Sequence, residues 1–95
     1  MALSPTVATS GFIPFSGEEK NGLVLVVSSV SEDSGVTEFV SSVFYQNRWH
    51  HTQADGTGIK LTSVKVENGK IVFSGYSNEG FDYATVFFVE GLPTA

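Results

Sequence analysis

No cysteine occurs in these 95 residues, which excludes a disulfide framework, a thiolate zinc site and a cysteine nucleophile. Basic side chains are scarce too: Lys20, Arg48, Lys60, Lys65 and Lys70 stand against ten acids, leave a net charge of −5 and form no run. Binding to a phosphate backbone relies on clustered Lys and Arg that displace counterions, so no nucleic-acid partner is expected. No apolar run approaches the ~20 residues that cross a bilayer as a helix. The N-terminal MALSPTVATSGF also lacks the basic and apolar regions of a signal peptide. The expectation is a soluble chain with no membrane insertion.

What is present is β-forming. Hydrophobic residues make up 41% of the chain and charged ones 16%, which sets it apart from disordered sequences. Residues 1–22 hold two of the three prolines and the turn-like SGEEKNG, and read as an irregular N-terminal arm or lead-in. Residues 23–95 then read as one domain. LVLVVSSV and VTEFVSSVFY are β-branched runs separated by SEDSG. IKLTSVKVE and KIVFSGY flank Asn68-Gly69, a pair that tolerates the positive φ angles of a type I′ hairpin turn. Within that hairpin, Thr62, Val64 and Val66 are expected on one face and Ser63, Lys65 and Glu67 on the other. SNEG makes a further turn before FDYATVFFVEG. Turn signals at this spacing, with no sustained helical period, imply an all-β fold: an antiparallel sandwich or small barrel of about 6–8 strands.

The stretch NRWHHTQADGTG, residues 47–58, holds the only tryptophan, both histidines and the only arginine. Adjacent strand residues project to opposite faces, so His50 and His51 cannot both face one metal without a bulge, and no further His or Cys completes a ligand set. No metal or other cofactor is assigned. A catalytic serine would need a histidine that is itself oriented by a carboxylate, but there is no G-x-S-x-G elbow and little room for a closed pocket. Scattered acids such as Glu38, Asp55, Glu79 and Asp82 read as solvated turn residues, and DGTG as a loop, since no helix follows to bind phosphate. No catalytic residue is assigned, and the protein is not expected to be an enzyme. A ligand surface remains, for which the candidates are Tyr45, Arg48, Trp49, His50, Gln53 and Asp55, because aromatics beside polar groups stack on sugar rings. The bland alternative is that Trp49 anchors the core.

Eight phenylalanines exceed what one small core holds easily, and Phe87 and Phe88, as neighbours on a strand, must point to opposite faces. Phe12, Ile13, Phe15, Phe87 and Phe88 are therefore the candidate interface residues, and a homo-oligomer, a trimer first among the possibilities, is expected.

The arm, the short Ser/Thr/Val-rich sandwich over residues 23–91, the hairpin VKVENGKIVFSGY and the last strand ATVFFVEG together resemble small virion-surface β modules. These are the distal domains of bacteriophage tail fibres and the head-decoration proteins. The resemblance implies a non-enzymatic, trimeric building block in a virion that binds a receptor or locks onto a shell. Such a structural module is the first expectation for function. A carbohydrate-binding module using Trp49 and its polar neighbours, with a cell-surface glycan as partner, is the alternative.

Overall fold

The computed structural model describes residues 6–52 and 58–91, and over them the chain is all-β, with two antiparallel sheets packed together. Seven strands are described: β1 (Ala8–Pro14), β2 (Leu23–Val30), β3 (Thr37–Tyr45), β4 (Arg48–Thr52), β5 (Ile59–Glu67), β6 (Lys70–Ser77) and β7 (Tyr83–Phe88). One sheet runs β1-β6-β5 and the other β4-β3-β2-β7.

The inner faces meet in a core of Leu25, Val27, Val40, Ile59, Leu61, Val64, Ile71 and Phe73. Full burial of such a Val, Leu, Ile or Phe side chain contributes roughly 1.5–3 kcal/mol, which makes this layer the main source of stability. Alternation along β6 is strict: Ile71, Phe73, Gly75 and Ser77 are buried while Lys70, Val72, Ser74 and Tyr76 face outward.

Two hairpins close by the same chemistry. Asn68 (φ 50°) and Gly69 (φ 77°) form the expected two-residue turn, with Glu67 opposite Lys70. Gln46 (φ 53°) and Asn47 (φ 66°) do the same between Tyr45 and Arg48. That second turn carries no glycine, so its signal in the sequence is weak.

Two expectations are corrected. The lead-in is irregular only in part, because residues 8–14 form β1 and pair with β6 from Ala8↔Tyr76 to Pro14↔Lys70. Ile13 and Phe15 pack against the core, and the Phe15 N–H donates to the Gly69 carbonyl at 2.9 Å. A strand within the arm is hard to read in the sequence because glycine and proline interrupt its alternation.

Thr62 does not share a face with Val64. The register slips between Leu61 and Ser63, leaving Thr62 exposed while Leu61 and Val64 are both buried. Ile59 and Leu61 are apolar at odd positions and Val64 and Val66 at even ones, so one extra residue must be absorbed for all four to face inward. Gly75 sits opposite this bulge, and a Cβ there would collide with the Lys60 carbonyl oxygen.

Candidate functional site

The short β3–β4 hairpin splits the predicted ligand residues between two faces. Cross-strand partners share a face, and Phe44↔Trp49 and Ser42↔His51 point inward while Tyr45↔Arg48 and Val43↔His50 point outward. Trp49 meets Phe44 edge to face at 5.4 Å between centroids and packs against the core. Its indole N–H donates to Glu19 Oε2 at 2.8 Å. With its ring set edge to face with Phe44 and its only side-chain polar group bonded, Trp49 is a partly buried side chain packed against the core.

On the outer side, His50 Nε2 lies 3.0 Å from the Tyr45 carbonyl oxygen and the two rings tilt together at 6.2 Å. Arg48 is exposed beside them. Tyr45, Arg48 and His50 are thus brought together, with Trp49 on the opposite face. Gln53 and Asp55 lie outside the described residues.

His51 lies on the inner side of β4 but at the exposed sheet edge, with its Nδ1 2.8 Å from Oγ of the fully buried Ser42. Partial burial holds the His51 pKa below the ordinary imidazole value; a backbone hydrogen bond with Thr62 opposes this and the neighbouring His50 adds to it. Ser42 is enclosed among core residues, so this Ser–His pair is a structural tie and offers no accessible nucleophile.

The predicted interface residues also separate. Phe12 lies on the outer face of the three-stranded sheet with the Lys70 ammonium 4.9 Å from its ring centroid. Phe88 points toward the inner side at the rim, opposite Leu23, with the Lys20 ammonium 4.4 Å from its ring. Together with Phe15, Gly17 and Glu18, these residues line a cleft of about 380 Å³ at one end of the sandwich.

Phe87 is outward, opposite Val24. It belongs to a broad apolar face that sequence reasoning did not assemble. Phe87–Val24–Val43 forms one cross-strand row and Tyr83–Ser28–Phe39 another. Phe39 is 61% exposed, Tyr83 71% and Phe87 48%, which places three large rings in water on one face. The available signal was LVLVVSSV: a strand apolar at consecutive positions is apolar on both faces. The opposite face of the molecule differs in character. Lys60, Lys65 and Lys70, dispersed in sequence, share the outer side of the three-stranded sheet, where Lys65 pairs with Glu67 at 3.5 Å.

Among the described residues no three His, Asp or Glu side chains gather as a metal-binding group, and no helix is long and apolar enough to cross a membrane. No protein-family model, curated protein or solved structure matches the chain closely enough to mark a relative.

Proposed function

We propose that the protein is a non-catalytic interaction module that acts by protein–protein assembly through the outer face of its four-stranded sheet. The observation that carries this reading is the exposure of Phe39, Tyr83 and Phe87 around a strip formed by Val24, Val26 and Val43. Large exposed apolar patches mark interaction surfaces, and aromatic residues supply much of the binding energy at such surfaces. A groove of about 340 Å³ between Phe39 and Tyr83, floored by Val26 and Ser28, gives the face relief that a partner side chain can fill. The virion-surface setting is the concrete form of this reading that the resemblance implies.

Sedimentation of the full chain, with Phe87→Ser as the comparison, tests it. Self-association or capture of a defined protein partner that weakens in the variant is the expected result. A chain that stays monomeric, takes no protein partner and is retained by a glycan array through Tyr45, Arg48 and His50 overturns it in favour of the carbohydrate-binding alternative.

A further inference from the structure

We infer that the partner is a second copy of this chain, joined edge to edge through β7 to make one continuous eight-stranded sheet. This rests on the assembly reading above and places the contact at the β7 margin of that face, where Tyr83 and Phe87 lie. An exposed sheet edge is a template for another strand, and proteins blunt such edges with proline, lysine, bulges or short strands. Among the described residues, three of the four edges are blunted. β1 ends in Pro14, β4 has only five residues and begins with Arg48, and β5 carries the bulge at Thr62 together with Lys60 and Lys65. β7 reads YATVFF, without a charge, a proline or a glycine, and pairs only with β2 among the described residues.

The backbone of β7 is oriented for this pairing. The Val89 N–H donates to the Gly22 carbonyl at 2.8 Å, and the backbone groups of successive residues in an antiparallel ladder alternate in direction. Those of Tyr83, Thr85 and Phe87 therefore point to β2, and those of Ala84, Val86 and Phe88 point to the open edge. Asp82, which flanks the strand, is turned back: its Oδ2 accepts the Val30 N–H at 2.6 Å.

Self-pairing is further restricted by which side chains share a face. Opposed residues must lie on the same face, which limits the registers available to two antiparallel copies. Centring the pair on Thr85 sets Ala84 against Val86 of the partner as a hydrogen-bonded pair. It sets Thr85 against Thr85 and Tyr83 against Phe87 at the closer, non-hydrogen-bonded positions. Thr–Thr and aromatic–aromatic pairs are among those that stabilise a cross-strand contact. The exposed rings of Tyr83 and Phe87 are thereby covered twice over, and the two-fold axis closes the assembly at two subunits.

Sedimentation equilibrium of the full chain, of Thr85→Lys, of Thr85→Glu and of an equimolar mixture of the two variants tests the inference. The parent is expected to be a reversible dimer. Each variant, with like charges facing across the axis, is expected to dimerise about five- to tenfold more weakly, and the mixture to regain the dimer as a hybrid. Amide hydrogen exchange supplies a measure independent of any substitution: Ala84, Val86 and Phe88 become protected as concentration rises, in step with the dimer. A parent assembly of another size, or a dimer that neither substitution weakens and whose outward β7 amides stay unprotected, overturns the edge pairing and leaves the assembly reading in place. A parent that stays monomeric and has no protein partner overturns both.

Discussion

Ser42 Oγ lies 2.8 Å from Nδ1 of His51, a contact between an inner strand of the larger sheet, β3, and its short edge strand, β4. The bond ties the edge strand β4 to the inner strand β3 on the side that faces the other sheet. Burial lowers the His51 pKa, and a group that is harder to protonate when folded makes stability depend on pH. The unfolded chain takes up a proton near the ordinary value of 6.5 while the folded chain still resists it.

Stability contributed by neutral His51 should therefore be fully present above about pH 6.5 and be lost as pH falls through the lower folded pKa. Thermal melts of the parent and of His51→Gln between pH 5 and 8 measure this as a difference. The expected outcome is a parent midpoint that drops more steeply on the acid side. Parallel curves would remove the tie.

Two glycines that look alike in sequence should respond differently. At Gly75 an added Cβ collides with the Lys60 carbonyl and crowds Leu61, both of them backbone that cannot rotate away. Gly75→Ala should cost about 3 kcal/mol or more. At Gly69 an added Cβ meets nothing within 4 Å, and only the φ of +77° opposes it. Gly69→Ala should cost about 1–2 kcal/mol through the left-handed backbone alone. Chemical denaturation of the two variants gives the ranking directly.

Trp49→Ala should destabilise the fold by about 2 kcal/mol, below the range for a fully buried tryptophan because the ring is half-buried. Glu19→Gln should change stability by less than about 1 kcal/mol, since the exposed hydrogen bond to the indole can still form. A Trp49→Ala melt coincident with that of the parent would mean that the ring does not anchor the core.

Removing residues 1–14 should unfold the domain. The truncation strips β1 from β6, leaves Ile71 and Phe73 uncovered by Ile13 and Gly11, and exposes the backbone of a central strand. Far-ultraviolet circular dichroism of the truncated chain is expected to lose the β signal, and a folded truncated chain would return residues 8–14 to the status of an accessory arm.

Strand chemistry and turn chemistry were legible without coordinates because they are local. The run LVLVVSSV favours extended backbone wherever it lies, and Asn68-Gly69 turns because those two residues tolerate positive φ. The phase change from Ile59 and Leu61 to Val64 and Val66 was also present as a pattern, and it becomes a bulge only because Gly75 admits the Lys60 carbonyl. β1 and the Gln46-Asn47 turn were obscured because their residues have weak intrinsic preferences and are held by partners distant in the chain.

The sequence by itself determined that this is an all-β chain with more apolar side chains than one small core encloses, since composition, alternation and turn residues act through nearest neighbours. Only the tertiary structure decided where the excess goes. Pairing β7 and β3 on either side of β2 brings Phe39, Tyr83 and Phe87 to one face, and the β3–β4 hairpin turns Trp49 inward and His50 outward. Strand order and register depend on contacts between segments far apart in the chain, and a one-residue slip would exchange those faces.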